Sequence, residues 1–221
     1  MPQSKFYHLA RFTHLHRMEK MFEIIAPLIV IKEGSHIIDG GCSSGASTAR
    51  IGVELAPTVR KITGIDLVDP GLPNPKEKIP DFDSVLSEYD EQPELVGYIK
   101  QATTFVRGDL FFPSQLFSKG VEKADVLIMA NNLLNRLNAL SFKSLYEVKK
   151  ILLVLSELLI DEGYLVLWSD SSYVDEEIGH EYSCIVWQKK DDILYLVGDD
   201  EFYAIATPFK EELDELKTIS T

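Results

Sequence analysis

Residues 36–48 read "HIIDGGCSSGAST", and within them Gly41-Cys42-Ser43-Ser44-Gly45 is a literal G-x-S-x-G. That spacing can present a nucleophilic serine on a sharp strand-to-helix turn. The same residues are also a glycine-rich turn that lets a small ligand lie against bare backbone. A serine hydrolase has the residue order it needs, with Ser43 followed by Asp170 or Asp175 and then His180. Against it, only one strand precedes Ser43, whereas a nucleophile elbow follows several earlier strands. A nicotinamide turn requires G-x-G-x-x-G/A. From Gly41 the chain offers Gly-x-Ser-x-x-Ala, so Ser43 replaces the glycine that lets backbone meet a pyrophosphate. Asp66, about twenty positions on, suits any ligand with ribose hydroxyls.

These residues need a strand to carry them and a helix to follow. "SHIID" is a short strand running into the glycines, and 46–56 a small-residue helix closed by Pro57. The first 32 residues read as helix, with Leu15, Met18, Phe22, Ile25 and Ile29 in one stripe and Pro27 as a break. Further strands are expected at 61–68, 103–110, 124–131 and 163–170. Residues 69–101 form a long excursion, an insertion or lid, with Pro70, Pro73, Pro75 and Pro80 followed by short helices at 84–90 and 93–101. A helix is expected over 141–160 on the stripe Phe142, Leu145, Val148, Leu152, Leu155 and Leu159. Ser144 and Glu147 form its capping box and Gly163 its stop. "YSCIVWQ" and "DILYLVG" flank "KKDD" as an antiparallel hairpin, and 210–218 is a terminal helix.

Strands alternating with helices, then an antiparallel pair, predict an α/β fold. It would be an open, mostly parallel twisted sheet with helices on both faces and a C-terminal antiparallel hairpin. At 221 residues the chain is expected to form a single domain, 1–221. Ligands on such sheets bind beyond the carboxyl ends of the strands. The formal charge of −13 argues against an extended nucleic-acid surface, which needs a basic footprint. Cys42 and Cys184 make neither a disulfide framework nor a zinc spacing, so no metal site is expected. The N-terminus lacks a signal-peptide core, and the apolar stretches are too short to cross a bilayer; a reducing cytoplasm is the natural setting.

"IIDGGCSSG" resembles the first motif of the class I S-adenosylmethionine-dependent methyltransferases, acidic-x-Gly-x-Gly-x-Gly, through Asp39, Gly41 and Gly45. Ser43 departs from it, standing where the middle glycine is usual. "GIDLV" resembles the acidic motif ending the second strand, "FVRGDLF" the motif after the third, and "ADVLIMANNLLNRL" the fourth strand and its exit. "LLIDEGYLVL" resembles the helix-turn-strand before the fifth, so the likeness covers roughly residues 34–170. The resemblance implies a Rossmann-like fold and S-adenosylmethionine as cofactor. It implies a cradle of Asp39, Gly40, Gly41, Cys42, Ser43 and Gly45, with Asp66 on the ribose hydroxyls and Leu67 beside it. Asp109 would accept from the adenine amino group, Leu110 would pack beside the ring, and Asn131 and Asn132 would lie near the methionine end. The activity implied is methyl transfer by in-line displacement, which needs alignment and water exclusion rather than a protein nucleophile.

No catalytic base stands out. The acceptor expected is a small molecule or a protein side chain. Neither an Asn/Asp-Pro-Pro-Tyr motif nor a Pro-Cys pair follows the fourth strand, which argues against a DNA base. Between Ile151 and Gln188 there are eight carboxylates and no lysine or arginine, a charge that favours a cationic or amine-bearing acceptor. The alternative is a non-catalytic S-adenosylmethionine-binding or assembly protein of the same fold.

Overall fold

The run from Ser35 to Gly40 is buried at every position, as a strand covered on both faces must be. The computed structural model describes residues 18–19, 21–72, 80–130, 145–175, 179–198 and 213–220. Its strands are β1 (Ser35–Gly40), β2 (Val59–Asp66), β3 (Thr103–Arg107), β4 (Ala124–Ala130), β5 (Leu159–Asp175), β6 (Gly179–Lys190), β7 (Ile193–Leu196) and β8 (Thr218–Ile219). They form one 8-stranded mixed sheet in the order β3-β2-β1-β4-β5-β6-β7-β8. The order reverses after β1, which is the Rossmann-like, doubly wound arrangement. β1–β2, β2–β3 and β4–β5 pair parallel; β5–β6, β6–β7 and β7–β8 pair antiparallel. The antiparallel part is therefore larger than the single hairpin expected. The chain divides into two compact units, Met1–Gly108 and Asp109–Thr221.

In the first unit, residues 21–25 are helical and the chain turns at 26–28, where Pro27 forbids continuation. Met18, Met21, Ile25 and Ile29 are buried; the rest of the expected helix, residues 1–17 and 20, lies outside the described residues. α1 (Ala46–Leu55) follows the glycine turn and ends before Pro57. α2 (Phe82–Leu86) is capped by Asp81, whose carboxylate accepts from the Ser84 N–H at 2.7 Å. α3 (Pro93–Ala102) carries proline in its first turn. Ala46 and Ala49 of α1 pack with Phe82, Val85, Leu86 and Ile99 in one apolar cluster. Arg50 fastens the same region from the polar side, donating to Tyr89 Oη at 2.8 Å and pairing with Glu88. Phe82, Val85, Leu86 and Ile99 thus join the core of this unit, while 73–79 lie outside the described residues.

In the second unit, α4 (Pro113–Ser118) precedes β4, α5 (Leu145–Ser156) precedes β5, and α6 (Leu213–Leu216) precedes β8. The helix expected over 141–160 stops earlier than its apolar stripe suggests. Leu159 pairs with Ala124 as the first residue of β5, because the parallel ladder supplies its backbone partners. Gly163 is not a helix stop. It lies inside β5, next to Glu162 at φ 64°, where a Cβ would come within 3.0 Å of Ile160 O and 3.1 Å of Asp125 O. The third strand ends at Arg107 rather than 110; its last ladder bond runs from Gly108 N–H to Asp66 O at 2.8 Å. The hairpin between β6 and β7 turns on Asp191 and Asp192 at φ 50° and 61°, as a tight two-residue turn demands. Of the expected terminal helix, Leu213–Leu216 is α6 and Thr218 belongs to β8, which pairs with β7, while 210–212 lie outside the described residues; Trp187 Nε1 of β6 donates to Leu216 O of α6 at 2.9 Å. The capping serine proposed at 144 lies outside the described residues. Among the described residues no helix is long and apolar enough to cross a membrane.

A Cβ at Gly52 would stand 2.6 Å from Ile99 Cγ2, so α1 and α3 meet at a point with no room for a side chain. Ile99 is buried and β-branched and cannot swing away. Gly52→Val is expected to lower unfolding stability by about 2 kcal/mol, despite valine's better helix propensity than glycine's. Urea denaturation checks this; an unchanged midpoint would contradict the close approach.

Candidate functional site

β1 delivers its last residues straight into the glycine turn, and the backbone there takes a shape few residues accept. Gly41 is at φ 75°, Ser43 at φ 49° and Gly45 at φ 85°. Ser43 occupies the left-handed region that favours glycine, so its departure from the glycine pattern costs strain, with its side chain exposed to solvent. Gly41 N–H and Cys42 N–H both donate to Ile65 O, at 2.7 and 3.2 Å, which moors the turn to β2.

Asp66 ends β2 and is half-buried. Its Oδ2 accepts from Ser43 N–H at 2.9 Å and its Oδ1 from Val68 N–H at 3.3 Å. Each oxygen keeps a further lone pair for an outside donor. Leu67 beside it is 54% exposed, a bare apolar surface next to a carboxylate. Arg107 braces this bend, donating to Leu67 O at 3.1 Å and pairing with Asp69 at 3.4 Å.

Asp39 is buried at 1% exposure, near the first turn of α1. Its Oδ2 accepts from Ser47 Oγ at 2.7 Å and Thr48 Oγ1 at 2.6 Å. Burial raises its pKa from 3.8 to about 6; the two hydroxyls oppose that rise and the charge of Asp66 adds to it. A neighbouring ligand cation would oppose the rise as well. Cys42 is buried too, and desolvation first, then the charges of Asp39 and Asp66, push its thiol far up; it is a neutral filler rather than a nucleophile.

Within this unit Ser43 has no histidine partner among the described residues. The only histidine described there is His36, at the opposite end of β1, where Nε2 meets Thr63 Oγ1 at 2.8 Å. A cavity of about 270 Å³ lined by Phe22, Ile25, Ala26, Ile29, Ile31, Glu54 and Leu55 sits at the C-terminal end of α1, away from the turn. It is apolar apart from Glu54 and brings no convergent polar groups.

The structure therefore brings together Asp39, Gly40, Gly41, Cys42, Ser43, Gly45, Asp66 and Leu67 at the carboxyl ends of β1 and β2. In the second unit, Asp109 follows two residues after β3, its Oδ1 accepting from Phe111 N–H at 2.9 Å, and Leu110 is buried. Asn131 and Asn132 lie outside the described residues. Sequence reasoning missed Ser47 and Thr48, whose signal was a hydroxyl pair opening the helix after the turn. It also missed Arg107, whose role depends on the register that sets it beside Asp66. Among the described residues no group of histidine, cysteine, aspartate and glutamate side chains could hold a metal ion.

No protein-family model matches the chain, and no curated protein matches it. Similar solved structures include a cyclopropane-fatty-acyl-phospholipid synthase-like protein from Lactobacillus casei, 16% identical over 74% of this chain and 51% of that one, TM-score 0.48. An O-methyltransferase family protein from Burkholderia thailandensis is 12% identical over 76% of this chain and 42% of that one, TM-score 0.43. A protein-L-isoaspartate O-methyltransferase from Plasmodium falciparum, in complex with S-adenosyl-L-homocysteine, is 15% identical over 83% and 67%, TM-score 0.41. The chain spans about half the length, or less, of the first two. Likeness at this level transfers no chemistry.

The sign of the Asp39 shift fixes its pH dependence. With a folded pKa of about 6 against 3.8 unfolded, the folded chain holds the proton more tightly. Asp39 thus costs nothing below about pH 4, and stability falls as pH rises through about 6. Asp39→Asn, which keeps an oxygen for both hydroxyls, is expected to be more stable than wild type at pH 8 by about 2 kcal/mol and nearly equal at pH 4. Thermal unfolding at the two pH values checks it; an asparagine variant less stable at pH 8 would contradict it.

Proposed function

We propose that this protein is an S-adenosylmethionine-dependent methyltransferase acting on a small-molecule or protein acceptor. The observation that carries the proposal is the Asp66 carboxylate, held by Ser43 N–H at the mouth of the glycine turn with lone pairs left for two hydroxyls. The donor set fits the cofactor. Asp66 takes the ribose hydroxyls, Leu67 flanks the base, and Gly40 and Gly41 leave backbone bare beside the cofactor. The buried Asp39 supplies negative charge toward the amino-acid end, where an ammonium would relieve its raised pKa. Asp109 and Leu110 are assigned to the adenine, and Asn131 and Asn132 to the methionine end.

When bound, the sulfonium supplies an activated methyl group whose bond electrons leave with sulfur as the acceptor's lone pair attacks in line. The chain's part is to hold that line and exclude water, so no protein nucleophile is required. Cys42, kept neutral by burial, fits this division of labour. For the acceptor, β5 continues from Ser169 to Asp175 beyond Ala130–Trp168, its last pair with β4, and lies in the stretch 151–188 that has carboxylates and no lysine or arginine. That charge favours a cationic or amine-bearing acceptor over an anionic one.

Calorimetric titration with S-adenosylmethionine and S-adenosylhomocysteine, with NAD as control, tests the proposal. Both sulfur ligands are expected to bind, NAD not, and Asp66→Ala to weaken binding by about tenfold or more, the loss of charge-assisted hydrogen bonds. Binding of NAD alone, or of nothing by folded protein, would contradict it. S-adenosylhomocysteine release on adding amine acceptors then separates an enzyme from a binding protein.

A further inference from the structure

Three glycines from three separate segments close on one aromatic ring. A Cβ at Gly64 in β2 would stand 2.6 Å from Phe105 Cδ1 and 2.7 Å from Cε1. At Gly71 it would stand 2.5 Å from Cδ2, 2.6 Å from Cε2 and 2.7 Å from Cγ, over a face of the ring. At Gly45 it would meet the ring tip, 2.7 Å from Cζ. Phe82 completes the enclosure, edge-on, with ring centroids 5.2 Å apart and planes at 87°. Gly45 and Gly71 are also at φ 85° and 77°, so a side chain at either position would be strained on backbone grounds as well.

We infer that Phe105 is a positioning residue for the cofactor cradle, an inference that rests on the function proposed above. The ring seats Gly45, which ends the glycine turn, and Gly71, which ends the bend after β2. Gly71 N–H donates to Ser43 O at 2.9 Å, and Ser43 N–H donates to Asp66 Oδ2 at 2.9 Å. Farther along, Phe82 N–H donates to Ser44 O at 3.0 Å and Ser44 Oγ to Pro80 O at 2.8 Å. The turn is thus clamped through its own carbonyls by the segments that surround the ring. Phe105 touches no assigned ligand position; it acts by fixing Ser43, and through Ser43 the direction of the Asp66 carboxylate. A planar, rigid ring does this better than a flexible side chain of equal volume, because Gly71 lies against its flat face.

The test is calorimetric titration of the full chain with S-adenosylhomocysteine, at a temperature where circular dichroism shows each variant folded. Phe105→Met, which nearly keeps volume and loses rigidity, and Gly64→Ala, which adds one methyl against the ring edge, are each expected to raise Kd by about tenfold, the loosening of a supported site by a fraction of an ångström. A second Phe105→Leu substitution in the Gly64→Ala background is expected to recover part of that loss by vacating the ring edge. A merely structural role would shift the urea midpoint and leave the folded protein's Kd unchanged. If either folded single variant binds within about twofold of wild type, the inference is overturned while the cofactor reading stands. If wild type itself binds nothing, the cofactor reading is what has failed, and the inference falls with it.

Discussion

The hydrogen bond from Ser43 N–H to the Asp66 carboxylate is the constraint on which the site depends. It joins the loop leaving β1 to the end of β2, two points that parallel pairing already holds one strand apart. To offer its N–H there, residue 43 adopts φ 49°, which costs a serine energy and would cost a glycine little. The surrounding contacts over-determine that conformation. Ile65 O takes two N–H groups from the turn, Gly71 N–H takes the Ser43 carbonyl, and the Phe105 ring fills what is left. A backbone held this firmly is preorganised, so a ligand meeting it pays little in ordering.

Against that rigidity stands one destabilising group. Asp39 keeps a carboxylate where desolvation opposes ionisation, with two hydroxyls on one oxygen as partial compensation. A purely structural turn would be served as well by a neutral amide at that position. That charge and the second carboxylate at Asp66 add to one negative field at the turn.

Much of this was legible in the sequence because local signals and the fold agree. The apolar pair Ile37 and Ile38 running into Asp39 and the glycines marks β1, and Asp66 is identified by its place at the end of an apolar strand. The five strands that pair in parallel and the β6–β7 turn on Asp191 and Asp192 were readable for the same reason. What was hidden depends on tertiary partners. The stripe through Leu155 and Leu159 continues at helical spacing, yet Leu159 belongs to β5 because Ala124 lies opposite it. Gly163 looks like a helix stop and serves as a point of close backbone approach. The proline-rich excursion after Asp69 gives no sequence hint that Phe82, Val85 and Leu86 would enter the core beside Ala46 and Ala49. Phe105 reads as one more strand aromatic until Gly45, Gly64 and Gly71 are seen around it.

The central claim is that the glycine turn and Asp66 form a cofactor cradle. Amide-resolved NMR of the labelled full chain, titrated with S-adenosylhomocysteine, tests it most directly. The account predicts saturable shifts led by the Gly41, Ser43 and Leu67 amides, with the amides lining the Phe22–Leu55 cavity unmoved. Saturable shifts confined to that cavity, with the turn silent, would contradict it.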